Sequence, residues 1–251
     1  MTYSMLGRDA ATGAFGGVVG TSSLAVGNRC LAARHGLGAV LSQHRTDPRL
    51  VTKGLDALAR GLEAEAALAA IREDAPGLHW RQLAVIDGQG RTAAFHGDRL
   101  YSIHAAGQAP DCVAIGNIID NPDVPQAMAD AFTATAGQPL AARLMAGLLA
   151  GRDAGGEVLE PIRSAALQVT GPDGVAAVDL RIDQAEEAAG ALADLLAAYG
   201  AQADTLRRVA LEPDAVPVSR TLFEASVARI AALGLQDRFP TAARRDDWTV
   251  V

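Results

Sequence analysis

The amino-acid sequence predicts an α+β fold, a four-layer αββα sandwich of two stacked, mainly antiparallel sheets with helices on the outside. Short apolar runs occur in groups joined by hairpin signals, and pairs of helices separate these groups. The order lacks the strict βαβ alternation of a parallel sheet. The 251 residues are 49% hydrophobic, which is enough for one sizeable core and a small extension.

The first part of the chain predicts a β-meander. Its strands are expected at 3–6, 15–21, 30–33 and 37–42, with turns at 9–13 and at His35-Gly36. Counting outward from the first turn places Thr2 and Thr21 at the same open end of one hairpin. Two hydroxyl side chains are therefore expected to lie side by side.

The remaining elements follow from helical spacing and turn residues. Asp47-Pro48 predicts a helix start, because Asp caps a helix and Pro fits its first turn. Further helices are expected over about 63–71, 122–136, 139–150 and 184–199. Further strands are expected at 82–86, 92–95, 113–115, 165–169 and 176–182, giving the order ββββ-αα-βββ-αα-ββ-α.

The character of the chain changes after Gly200. Residues 1–200 are predicted to form the main domain and residues 201–251 a C-terminal helical extension with a polar tail at 244–248. The extension carries several arginines, so we expect it to pack on the main domain or on a neighbouring subunit of a homo-oligomer.

Charge and cysteine content limit the partners. A net charge of −7 argues against nucleic acid and against an anionic membrane surface, since both require clustered cations. Two cysteines do not form a disulfide framework in a chain of this length. Without a signal peptide or a long apolar run, the sequence favours a cytoplasmic protein with a small-molecule substrate and no membrane partner.

The second residue is a candidate nucleophile. A small residue at position 2 permits removal of Met1, which would leave Thr2 with a free α-amine beside its own hydroxyl. Such a residue combines a nucleophile with a general base. Many ordinary proteins also begin with Met-Thr, so the dipeptide alone does not decide the matter.

Metal and phosphate motifs are not evident in the sequence. The five histidines show neither HxH nor HExxH spacing, and the glycines at 13–17 lack the Lys-Ser/Thr of a phosphate loop. We expect no metal and no cofactor. His44 and Asp47 form a His-Asp cluster, which a solvated helix cap explains structurally. A less favoured alternative is that these two residues serve a metal-dependent hydrolase.

Polar residues at strand ends predict a polar pocket. Gln43 ends one apolar strand and Asn117 follows another, while Asp179 and Arg181 alternate within a third. Each of them also has a structural explanation, as part of a solvated face or a mutually satisfied ion pair. Several such groups at strand ends together favour a binding site.

Ten short segments carry a resemblance to a known family. They are Thr2–Met5, Arg8-Asp9 with Thr12-Gly13, Leu24–Gly27, Gly38–Gln43, Asp47-Pro48, Gly54-Leu55, Arg81–Asp87, Gly116-Asn117, Ser164–Leu167 and Val178–Asp183. In this order they resemble the DUF1028 family, whose members are similar to N-terminal-nucleophile (Ntn) hydrolases. The resemblance covers about residues 2–190 and implies the αββα sandwich and hydrolysis of an amide-type C–N bond.

Our leading hypothesis assigns roles to the candidate residues, with an amide, lactam or ureide as substrate. Thr2 attacks the carbonyl and passes its proton to its own amine. Asn117 and backbone N–H groups stabilise the oxyanion. Thr21, Gln43 and His44 position the amine and the substrate, and Arg181, oriented by Asp179, binds a substrate carboxylate.

The chain also departs from the family pattern near these positions. The family usually has Ser at position 21, Arg or His at position 22, and Asp at position 157, where this chain has Thr21, Ser22 and Glu157. The Asp-Asp-His after the last strand is reduced to Asp183-Gln184-Ala185. These differences leave open a second hypothesis, a non-catalytic ligand-binding or assembly protein that keeps the sandwich.

Overall fold

The computed structural model describes residues 1–159, 161–240 and 249–251. Within these residues the fold is mixed α/β, with ten strands in two antiparallel sheets and seven α-helices. The chain divides into two compact units, Met1–Ala198 and Tyr199–Val251. Both sheets belong to the first unit.

The larger sheet has its first two strands at the centre. In the described residues its order is β10-β9-β2-β1-β8-β7. The strands are β1 (Thr2–Asp9), β2 (Ala14–Thr21), β7 (His104–Ala109), β8 (Cys112–Asn117), β9 (Ser164–Val169) and β10 (Val178–Ile182). Tyr3 pairs with Gly20, and Asp9 pairs with Ala14, so the predicted hairpin is confirmed.

The smaller sheet has the order β3-β4-β5-β6 in the described residues. Its strands are β3 (Leu31–Arg34), β4 (Gly38–His44), β5 (Arg81–Asp87) and β6 (Thr92–His96). An apolar cluster that includes Leu6, Leu41 and Ile115 is fully buried and joins side chains of the two sheets. One face of each sheet therefore forms a shared core.

Helices cover other parts of the two sheets. Helices α1 (Pro48–Ala59) and α2 (Ala64–Arg72) share a second apolar cluster with β4 and β5. Helices α3 (Val124–Ala134) and α4 (Leu140–Asp153) pack on the larger sheet, where Gly7 and Gly147 let side chains approach closely. The predicted cap is present, since Asp47 accepts a hydrogen bond from the backbone of Arg49.

One strand was absent from the sequence prediction. The segment 113–115 was expected to follow β6 directly, but β7 (His104–Ala109) lies between them and pairs with β8. Its sequence is rich in alanine and contains Gly107, and these residues have low strand propensity. Its neighbours in the sheet, rather than its own sequence, determine its extended conformation.

The second unit is helical in its described part. The last two residues of helix α5 (Ala188–Gly200) are the first two residues of this unit. Helices α6 (Ala203–Leu211) and α7 (Arg220–Ala232) follow. Val218 forms an isolated bridge with Val250. The predicted polar tail at 244–248 lies outside the described residues. In the part of the chain that is described, no helix has the length and apolar character needed to cross a bilayer.

Candidate functional site

Several strand ends meet at one end of the two sheets. Because neighbouring strands are antiparallel, the start of β1 lies beside the ends of β2 and β8. Thr2 is directly opposite Asn117 on β8, and Thr21 is opposite Ser164 on β9. The structure thus brings Thr2, Thr21 and Asn117 together, although they are far apart in sequence.

Two threonine hydroxyls lie together at this end. Thr2 Oγ1 is 3.4 Å from Thr21 Oγ1, and the two side chains are buried. Both hydroxyls are placed to donate to the carbonyl oxygen of Met1. In the chain that retains Met1, this carbonyl satisfies the two hydroxyls.

A chain of buried polar side chains lies behind the hydroxyls. Ser4 Oγ donates to Gln43 Oε1 at 2.5 Å, which links the larger sheet to the smaller one. Gln43 Nε2 donates to Gln82 Oε1 at 2.6 Å, and Asn117 Nδ2 donates to the same oxygen at 2.9 Å. All four residues are fully buried. They form a polar layer next to the apolar core between the sheets.

Two backbone carbonyls fix the orientation of these amides. Gln82 Nε2 donates to Gly116 O at 2.8 Å, and Gln43 Nε2 lies 3.4 Å from Ile115 O. A carbonyl oxygen only accepts, so the amide oxygens of both glutamines must point the other way. Gln82 Oε1 then requires a donor from Asn117. Asn117 Oδ1 is therefore an acceptor, and it has no hydrogen-bond partner among the described residues.

His96 ends the polar layer. Its Nδ1 lies 2.9 Å from Gln82 Nε2, which donates, so the ring is neutral and carries its proton on Nε2. Burial lowers the pKa of His96 to about 4, and the charge of His104, whose ring lies 5.2 Å away, acts in the same direction. The acceptor role of Nδ1 is thus maintained at neutral pH.

The amino terminus lies near a buried carboxylate. Glu157, in the connection between α4 and β9, accepts from the Ser22 backbone N–H at 3.1 Å through each of its oxygens. It is 7% exposed. Burial lowers the pKa of the Met1 α-amine, and the negative charge of Glu157 opposes this effect. The residue that departs from the family pattern thus contributes directly to the electrostatics of the site.

His44 and Asp47 are engaged in different contacts. His44 has a left-handed backbone with φ of 68°, and its Nδ1 lies 2.8 Å from Trp80 O. Burial lowers the pKa of His44. Asp47 pairs with Arg49 at 2.8 Å, and this hydrogen bond lowers the pKa of Asp47. Among the described residues, no group of three His, Cys, Asp or Glu side chains is placed to hold a metal ion.

The remaining predicted pair is distant from Thr2. Asp179 and Arg181 lie on the edge strand β10 and form an ion pair at 3.3 Å. Two strands, β9 and β2, separate β10 from β1. Three strand spacings amount to about 14 Å. The structure therefore does not bring this pair into contact with Thr2.

Three residues of the site were not predicted from the sequence: Ser4, Gln82 and Glu157. Ser4 alternates with Thr2 along one strand, so the two side chains share a face. Gln82 begins an apolar strand, as Gln43 ends one, and the same reasoning would have found it. Glu157 lies in a connection outside the named strands, and the sequence indicated it only as a departure from the family pattern.

Comparison with known proteins places the chain in a family. The sequence matches DUF1028, a family of unknown function, over residues 2–192. No curated protein matches it.

Two solved structures are similar to the chain. The crystal structure of a DUF1028 protein from Silicibacter pomeroyi aligns with a TM-score of 0.72 and 32% identity over 79% of this chain and 88% of that one. Anbu (ancestral beta-subunit) from Yersinia bercovieri aligns with a TM-score of 0.35 and 12% identity, over 80% of this chain and 97% of that one. This similarity is too weak to support a conclusion. On the family match and the first of these structures, the chain belongs to the DUF1028 family.

Proposed function

We propose that this protein hydrolyses an amide-type C–N bond in a small amide, lactam or ureide, with Thr2 as an N-terminal nucleophile. The observation that supports it most is the position of Thr2 Oγ1, at the start of a central strand and 3.4 Å from Thr21 Oγ1. We infer further that the two sheets and their flanking helices form the αββα sandwich of Ntn hydrolases.

The reaction begins after removal of Met1. Thr2 Oγ1 attacks the substrate carbonyl carbon, and the hydroxyl proton passes to the α-amine of Thr2. The tetrahedral intermediate expels the substrate nitrogen, which takes that proton from the α-ammonium group. A water molecule then attacks the resulting ester and gives a proton to the amine. The ester C–O bond breaks, the acid product leaves, and Thr2 regains its hydroxyl.

Neighbouring residues support this step by contact. Removal of Met1 also removes the carbonyl that accepts from the Thr21 hydroxyl, which frees this hydroxyl to bond the amine or the substrate. Gln43 acts through Ser4, which it holds on the face of β1 that carries Thr2. His44, at the end of β4, and the Asp179–Arg181 pair, about 14 Å away, are left for the distal parts of a substrate.

The test compares turnover in matched threonine variants. A panel of amides, lactams and ureides is assayed with the wild type, Thr2→Ala, Thr2→Ser and Thr52→Ala. Thr2→Ala removes the nucleophile and is expected to reduce kcat about 10³-fold or more, whereas Thr2→Ser keeps a hydroxyl. Thr52 is exposed on α1 and serves as the control. Equal hydrolysis by the wild type and Thr2→Ala would overturn the proposal.

One observation favours a second candidate, a non-catalytic ligand-binding or assembly protein. With Met1 in place, its carbonyl accepts from both threonine hydroxyls, so the intact chain has a satisfied, closed arrangement. The intact mass separates the candidates. A protein that retains Met1 and binds ligands without turnover fits the second, whereas loss of one methionine residue mass is required by the first.

A further inference from the structure

The buried oxygen of Asn117 is the starting point. Asn117 is fully buried, and its Oδ1 has no hydrogen-bond partner among the described residues. The assignment of the oxygen and nitrogen atoms of Asn117 follows from Gln82. Gly116 O fixes the amide of Gln82, and Gln82 Oε1 then requires the N–H of Asn117 Nδ2. A buried acceptor without a donor is unfavourable, so a donor at this place would be strongly preferred.

The amino group of Thr2, on the neighbouring strand, is a candidate donor. Thr2 and Asn117 are directly opposite on β1 and β8, and their side chains leave the sheet on the same face. While Met1 is attached, the nitrogen of Thr2 has one N–H that lies in the plane of its peptide. After Met1 is removed, this nitrogen is tetrahedral and directs its protons out of that plane.

We infer that Asn117 Oδ1 accepts a hydrogen bond from the free α-amine of Thr2 and so positions this amine as the general base. The inference rests on the proposed function. It gives Asn117 a different role from the oxyanion donor predicted from the sequence, since the unpartnered atom of its side chain is the acceptor Oδ1 and one N–H of Nδ2 is directed at Gln82 Oε1. Asn117 is thus a positioning residue that acts through Thr2.

Three other titratable groups also interact with the amino terminus. Glu157 approaches from the connection between α4 and β9, Cys30 from the residue before β3, and His44 from the end of β4. Glu157 favours the protonated amine, and burial disfavours it. A change at Asn117 leaves these three groups in place, so its effect on the amine can be measured separately.

The experiment measures the pKa of the Thr2 α-amine by competitive acylation. A protein that begins at Thr2 is labelled with limiting acetic anhydride over a range of pH, and the N-terminal peptide is quantified by mass spectrometry. Lys53 is the only lysine, so its peptide provides an internal reference. The variants are Asn117→Leu, which removes the acceptor, and Asn117→Asp, which keeps it and adds charge. Asn121→Asp, in a partly exposed position nearby, is the control for charge alone.

The inference predicts opposite changes in the two Asn117 variants. The pKa of the amine falls by about 0.5 or more in Asn117→Leu and rises by about one in Asn117→Asp, with little change in Asn121→Asp. An unchanged pKa of the amine in both Asn117 variants would overturn the inference. This holds even if the variants lose turnover, because loss of turnover without a change in the amine pKa is the result expected when Asn117 is an oxyanion donor. If Asn117→Leu does not fold, the test rests on the pKa of the amine in the isosteric variant Asn117→Asp. The labelling needs no turnover, so an inactive wild type would contradict the proposed function while leaving this test intact.

Discussion

At the scale of single residues, the site consists of hydroxyls whose state depends on Met1. Thr2 Oγ1 and Thr21 Oγ1 are both placed to donate to the Met1 carbonyl. The free α-amine of Thr2 that the proposed reaction uses as a base forms only when Met1 is removed. The sequence predicted this pair of threonines from the distance of each to a single turn. The sequence indicated Glu157 only as a departure from the family pattern. Its contact with the Ser22 backbone could not be predicted, because the position of Glu157 depends on a connection that forms a bridge with Ile119.

His96 predicts a pH dependence of stability. Its pKa is lowered to about 4 in the folded protein and is about 6.5 in an unfolded chain. Between these values the unfolded chain binds a proton that the folded protein does not, so the free energy of unfolding decreases as the pH falls from about 6.5 to 4. His96→Gln lacks this component and should lose less stability over the same range.

Urea unfolding at several pH values checks this prediction. His79→Gln is the control, since His79 makes no hydrogen bond to the polar layer among the described residues. The control should follow the wild type. If His96→Gln also follows the wild type between pH 6.5 and 4, the assigned neutral state of His96 is wrong.

At the scale of secondary structure elements, the sequence predicted what local patterns determine. Asp and Gly around the first turn defined the β1–β2 hairpin, and Asp47-Pro48 defined the start of α1. The strand β7 was not predicted, because its alanine and glycine residues have low strand propensity. The hydrogen bonds of the buried amides could not be predicted from local patterns, because they join the two sheets. Ser4 and Gln43, for example, are 39 residues apart and belong to different hairpins.

The packing of α3 on β7 provides a stability prediction. A Cβ at Gly107 would lie 2.3 Å from Pro125 O and 2.4 Å from Pro125 C, both backbone atoms of α3. Gly107→Ala therefore forces the helix away from the strand and should reduce the free energy of unfolding by about 1–3 kcal/mol.

A matched glycine serves as its control. Gly200 ends α5, and outside its chain neighbours and the backbone of its own helix no described atom lies within 4 Å of a Cβ added there. Gly200→Ala should leave stability unchanged or increase it by up to about 1 kcal/mol, because alanine favours helix. Equal urea midpoints for the two variants would show that the close contact at Gly107 is not maintained.

At the scale of the whole molecule, the interior between the two sheets changes from apolar to polar along its length. Leu6 and Leu41 belong to the apolar cluster, and Ser4 and Gln43, two residues away on the same strands, belong to the polar layer. The polar layer reaches the end where β1 begins. This arrangement places a fully buried hydrogen-bond network behind Thr2, which suits the proposed role of its α-amine as a general base held in one orientation.

The central claim is that Thr2, with a free α-amine, acts as the nucleophile. The most direct measurement is mass spectrometry of the N-terminal peptide after incubation of the purified protein with a β-lactone, whose ring opens as it acylates a nucleophilic hydroxyl. We predict a peptide that begins at Thr2 and carries the acyl group on the oxygen of Thr2. A peptide that retains Met1, or one that begins at an unmodified Thr2, would contradict the claim.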